Sequence, residues 1–226
     1  MKNIILSIII LFSFSYPAIS HVEHYEDYNY LEYELFRNNK SIGYHKYDFI
    51  RKGDTLKVIS EVQFKITKLG VDLYKYYAES EELYKEDKFF SFSSITNQNK
   101  KEKYVNISVD KDKDLIVDGS SFKGKTSKEN IIGTWWNHEI VKAKAQISAI
   151  SGRVIHQKVE FLGKKEIELN GKQHETLHFK FLSSDETLPD NKKLNTDIWY
   201  DAKTFIWLKA QFIKQGNWEY RLKKVN

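Results

Sequence analysis

The chain lacks cysteine altogether, so no disulfide can staple it and any fold must stand on packing and hydrogen bonding alone. Arginine is scarce (Arg37, Arg51, Arg153 and Arg221), and the lysines behind the net charge of +5 are scattered. Nucleic-acid binders concentrate basic residues on one face and favour arginine for bidentate contacts, so a nucleic-acid partner is not expected. No G-x-S-x-G elbow is present, and no run after the first residues reaches the ~20 apolar positions of a membrane-spanning helix. Internal repeats and linkers are absent as well.

The single long apolar run is at the start. Met1, Lys2 and Asn3 lead into residues 4–14, too short a stretch to span a bilayer, and Pro17 follows. Ala18 and Ser20 then stand three and one positions before a cut. Residues 1–20 therefore read as a signal peptide, and no cysteine follows for lipid attachment. The expectation is a periplasmic protein with no stable transmembrane segment after signal removal. Residues 21–29 are polar and expected to be flexible, and residues 30–226 to form one β-sheet domain.

Hairpin signals recur along that domain. Leu31, Tyr33 and Leu35 alternate with Glu32 and Glu34, then Asn38 and Asn39 make a two-residue turn. Leu56, Val58, Val62, Phe64 and Ile66 all fall on even positions, the clearest period-two run in the chain. Turns follow at Gly53, Gly70, Asp87 and residues 97–99 and 110–114; Asn170 and Gly171 give the strongest hairpin signal. Residues 127–147 break the pattern and read as a loop with a short helix or lid. The fold class is all-β: a curved antiparallel meander or half-open barrel.

Four stretches also carry a resemblance. They are Tyr33 to Asn38 with Ile42 and Gly43; Leu69, Gly70, Tyr74, Tyr76, Glu82, Tyr84 and Asn97; Thr134, Trp135, Trp136 and Asn137; and Asp197 to Asp201. In that order they resemble a family of exported bacterial proteins known only as a domain of unknown function. The family would have Gly at Asn39, but Asn also adopts the left-handed conformation. The resemblance implies a curved antiparallel sheet in the periplasm and supplies no activity.

Candidate chemistry is thin. His174 and His178 have zinc spacing for a helix, yet on a strand four residues span about 13 Å, and their face reads as solvated. Asp110, Asp112 and Asp114 open like a calcium loop but lack its Gly and closing Glu, leaving a charged turn. His21 and His24 could hold copper only on a polar terminus. Glu79 and Glu81 share one strand face and Glu82 takes the other, an acidic cluster read as solvated. No catalytic residues, metal or cofactor are expected.

Aromatic content is high, at 15%. Trp135, Trp136, Asn137, Trp199 and Tyr200 stand in or beside turns, where large rings close the end of a curved sheet or line an opening in it. They are the candidate ligand-binding residues, for an apolar or amphipathic, lipid-like molecule. The fold is analogous to half-barrel carriers of outer-membrane lipoproteins. The competing reading is an envelope-associated interaction or structural protein without a small ligand. The address is tested by N-terminal sequencing of exported protein: the first residue should be His21, and a chain retained in membranes from Met1 would contradict it.

Overall fold

The computed structural model describes residues 25–226. The expected signal peptide, its cleavage site, His21 and His24 lie outside the described residues.

Among the described residues, fifteen strands form one sheet. The first eight are β1 (Tyr30–Arg37), β2 (Lys40–Lys52), β3 (Thr55–Lys68), β4 (Val71–Lys85), β5 (Lys88–Gln98), β6 (Lys101–Val109), β7 (Leu115–Gly119) and β8 (Lys123–Thr126). The rest are β9 (Ile131–Ile132), β10 (Ala145–Ile147), β11 (Val154–Leu169), β12 (Lys172–Ser183), β13 (Asn195–Asp201), β14 (Trp207–Ile213) and β15 (Asn217–Val225). The spatial order runs from β8 down to β1, crosses to β15, then runs down to β9. Two meanders thus join where the first strand pairs with the last, and every neighbour is antiparallel except β9 with β10. The expected all-β curved sheet is what forms.

Turn chemistry explains the register. Five connections are two-residue turns with both φ positive: Asn38 and Asn39, Leu69 and Gly70, Glu86 and Asp87, Asn99 and Lys100, Asn170 and Gly171. This conformation matches the twist of the flanking strands. Gly43 is required for another reason. A Cβ there would sit 2.0 Å from the Gln63 carbonyl oxygen, so only glycine lets β2 and β3 approach at this point.

The sheet curls until its two arms touch. The Ser121 amide donates to the Ser151 carbonyl at 2.8 Å, and Ser94 Oγ to the Ala149 carbonyl at 2.5 Å. Gly119 faces this closure, where a Cβ would lie 2.7 Å from the Ser151 oxygen. A small core seals the join, with Phe92, Val105, Ile107, Leu115 and Val117 from one arm against Ile132 and Ile147 from the other.

Within residues 127–147 the expected short helix is one 3-10 turn at His138–Val141, with Asn137 as its cap. One expectation is corrected. Residues 25–29 are tied down, because Tyr25 is fully buried, stacks on Phe49 with centroids 5.1 Å apart and accepts from the Trp207 amide at 3.3 Å.

The even-numbered run of β3 does face inward. Phe64 stacks on Tyr76 at 4.7 Å and meets Trp218 edge-on at 5.2 Å, while Lys65 is exposed. Phe64→Ala should therefore cost about 3–5 kcal/mol in urea unfolding and Lys65→Ala less than ~0.5 kcal/mol. Equal costs would contradict this register.

Candidate functional site

Side-chain size varies in lanes across the inner face of β2 to β5. One lane pairs Phe64 with Tyr76, and another pairs Val58 with Glu82 and Glu82 with Phe92. Between them run two lanes that begin on a β2 ring and continue in smaller residues: His45 then Val62, Ala78 and Thr96, and Tyr47 then Ser60, Ser80 and Ser94. Small residues between large ones leave space. A cavity of about 240 Å³ lies there, bordered also by Trp135, Ile150, Phe212 and Tyr220.

The segment between β9 and β10 closes one side of this space. It enters the sheet interior and is gripped through its backbone by strand tyrosines. Tyr47 donates to the Thr134 carbonyl, and Tyr200 to the Trp135 carbonyl at 2.9 Å. Trp135 is held at φ 61°, a left-handed conformation costing a bulky residue roughly 1–2 kcal/mol, which these contacts must offset.

The third anchor is ionisable. Trp136 is fully buried, and its Nε1 donates to Glu82 Oε2 at 3.0 Å. Tyr84 donates to the other carboxyl oxygen, and Asn137 Nδ2 donates to the Tyr84 hydroxyl at 3.4 Å. Burial pushes the Glu82 carboxyl up to about 7, against the opposing pull of the Tyr84 and Trp136 hydrogen bonds. The solvated reading of Glu82 is thereby corrected. Its partners Glu79 and Glu81 lie on the outer face as expected, with Glu81 paired to Lys57 at 2.9 Å.

His45 borders the cavity, with Nε2 2.8 Å from Ser60 Oγ. Burial pushes its ring down to about 3, so it is neutral near pH 7. Among the described residues its Nδ1 and the indole nitrogen of Trp135 have no hydrogen-bond partner. A separate open groove of about 620 Å³ lies across the sheet from the cavity, bordered by Tyr44, Gln63, Lys65, Lys75, Tyr77 and Asn97, the outward neighbours of inner-face residues on β2 to β5.

The five expected site residues are not one cluster. Trp135 alone borders the cavity. Trp136 and Asn137 anchor the inserted segment, and Tyr200 holds the Trp135 carbonyl from the inner face of β13. Trp199 points the opposite way, as the neighbour of an inward residue on a strand must. On the outer face it stacks on His178 at 4.3 Å, beneath Lys209. His178 and Thr176 are buried there, which corrects the solvated reading of that face. His178 pairs with Asp197 at 2.8 Å, whereas His174 lies 3.8 Å from Asp201. Asp110, Asp112 and Asp114 surround the Lys125 ammonium at 2.9, 3.4 and 3.1 Å.

The curved sheet, whose arms meet without pairing strand to strand, and its inserted segment define a β-barrel-like fold. Residues 33–223 match the family described as domain of unknown function DUF6134, and the chain belongs to that family. No curated protein matches it. Among solved structures it is similar to a β-barrel-like protein of domain of unknown function DUF1849 from Brucella abortus. There the identity is 12%, the TM-score 0.59, and the match covers 87% of this chain and 96% of that one. A DUF1329 family protein from Desulfovibrio piger matches at 9% identity and a TM-score of 0.22, over 91% of this chain and 89% of that one.

The Glu82 carboxyl makes a signed prediction. Below its ordinary value of 4.5 it is protonated both folded and unfolded. Between 4.5 and about 7 only the unfolded chain releases the proton, so this group's contribution to stability falls as pH rises and levels off above about 7. Glu82→Gln removes that dependence. The variant's stability relative to wild type should improve by roughly 3 kcal/mol between pH 4 and 8, read from urea unfolding. A difference that stays constant with pH would contradict a buried, raised carboxyl.

Proposed function

We propose that this protein is an exported, non-enzymatic binding module of the periplasm. Its cavity takes the apolar part of one apolar or amphipathic, lipid-like ligand. The observation that carries this reading is the pair of small-residue lanes, which hold open a cavity bordered by rings in a core otherwise filled with aromatics. A cavity of about 150 Å³ is enough for benzene, so this one suits a ring or a short length of acyl chain rather than a whole lipid. No Lys or Arg borders the cavity, which suits an uncharged part of the ligand.

The pairing of His45 with Ser60 is the one arrangement that resembles a nucleophile with its base. A ring held near 3 is too weak a base to activate a hydroxyl at neutral pH, and its Nδ1 lacks the carboxylate that would orient it. The pair serves better as a polar wall.

Filling the cavity tests the proposal. Ser80 borders it, and no other side chain bonds to the Ser80 hydroxyl among the described residues. Wild-type protein should bind an environment-sensitive apolar dye at one site. Ser80→Leu should weaken that binding at least about tenfold while keeping the circular dichroism spectrum, since losing a fitted apolar contact of this size is worth 1.4 kcal/mol or more. Undiminished dye binding by the folded variant would remove the cavity from the account.

A further inference from the structure

The hairpin of β3 and β4 runs past its neighbours. Pairing of β2 with β3 ends at Gly43 and Phe64, and pairing of β4 with β5 ends at Tyr76 and Gln98. Residues 65–75 therefore continue as a two-stranded ribbon, paired only with themselves. Asn99 steadies its base, accepting from the Lys75 amide at 2.7 Å and donating to the Leu73 carbonyl at 3.2 Å.

The ribbon carries apolar side chains where water should favour polar ones. Leu69 is 96% exposed, Val71 61% and Leu73 54%. Leu69 also opens a turn with φ 50°, a conformation that suits Asn or Gly. In the four equivalent turns that position holds Asn38, Glu86, Asn99 or Asn170, so leucine here is unfavourable in both conformation and exposure.

Charge around the tip has one dominant sign. Lys65, Lys68 and Lys75 lie on the ribbon, Lys100 in the adjoining turn of β5 and β6, and Lys101 and Lys103 at the start of β6. The acids there are Glu102 and Asp72, and Asp72 is already paired with Lys75 at 3.2 Å and with Thr67. At the opposite end of the sheet the turns carry both signs, with Asp54, Glu86, Asp87, Asp110, Asp112, Asp114 and Asp201 beside Lys52, Lys85, Lys88, Lys111, Lys113 and Lys203. The ribbon tip is thus the place where an excess of lysine meets exposed apolar side chains.

We propose that the tip of the β3–β4 ribbon docks on an anionic lipid surface, with Leu69, Val71 and Leu73 entering the acyl boundary and the flanking lysines meeting the headgroups. A narrow convex tip of three apolar side chains is too small for a stable protein interface, and interface cores are depleted in lysine. A bilayer needs no matching shape, and lysine stems lie along its apolar boundary with their ammonium groups in the headgroup layer. The groove bordered by Lys65 and Lys75 opens at this same end.

Sedimentation with phosphatidylcholine vesicles, with and without phosphatidylglycerol, tests the proposal. Wild-type protein should bind the anionic vesicles, release in high salt and leave the neutral ones unbound. Lys65→Gln and Lys68→Gln should each weaken binding about fivefold. Leu69→Asn should also weaken it while holding or raising the melting temperature, because Asn suits the turn; an intact fold thereby separates lost docking from misfolding. Absence of binding to anionic vesicles would overturn the proposal, and so would Leu69→Asn binding them as well as wild type.

Discussion

A carboxyl group shut inside an aromatic core has to find partners there, and Glu82 finds them in the segment between β9 and β10. Its two oxygens take the Trp136 indole and the Tyr84 hydroxyl, so the strand supplies an acceptor that only the inserted segment can fill from the other side. Tyr47 and Tyr200 add donors aimed at the segment's carbonyls. Strand side chains satisfy the backbone of an irregular stretch that has no ladder partner of its own, as buried backbone requires. The apolar rings of Tyr25, Phe49 and Trp136 then pack around this polar junction with centroids 5.1 to 5.5 Å apart.

The two ends of the sheet divide the work that follows from this anchoring. The end nearer Glu82 is sealed by Trp136, Tyr25 and the tied-down residues that follow it. Toward the other end the lanes of Ser60, Ser80 and Ser94 and of Ala78 and Thr96 are too small to fill the curve, and the cavity is the space they leave. A closed sheet filled throughout with aromatic rings would be a more stable object and would have nowhere to put a ligand. The left-handed Trp135 backbone and the buried, raised carboxyl of Glu82 are local costs of the same arrangement.

Much of the fold is legible in the chain because its signals are local. The two-residue turns are written in pairs such as Asn38 with Asn39 and Asn170 with Gly171, and the inward face of β3 in its even-numbered apolar residues. The cavity was legible too, in hindsight of a physical kind: the same even run contains Ser60, and β4 carries Ala78 and Ser80 between Tyr76 and Tyr84. What stays hidden is non-local. Nothing near Glu82 in sequence announces Trp136, which lies on a segment inserted from the other meander. Likewise nothing beside Trp199 reveals that Tyr200 takes the inner face, or that His178 covers the indole outside. The polar surroundings of Tyr25 conceal its contacts with Phe49 and Trp207. Residues 127–147 stop at a single 3-10 turn because their backbone is claimed instead by strand tyrosines and by β9 and β10.

The central claim is that the inserted segment is a fixed plug, built into the core beside the cavity. Native-state hydrogen exchange resolved by residue tests this most directly. The amides of Gly133 and Trp136, which donate to the Ile147 and Thr134 carbonyls, should exchange only with global unfolding, at the same free energy as β1 and β2. Exchange of those two amides through a cheaper local opening, with β1 and β2 still protected, would show the segment to be a mobile lid and contradict the account.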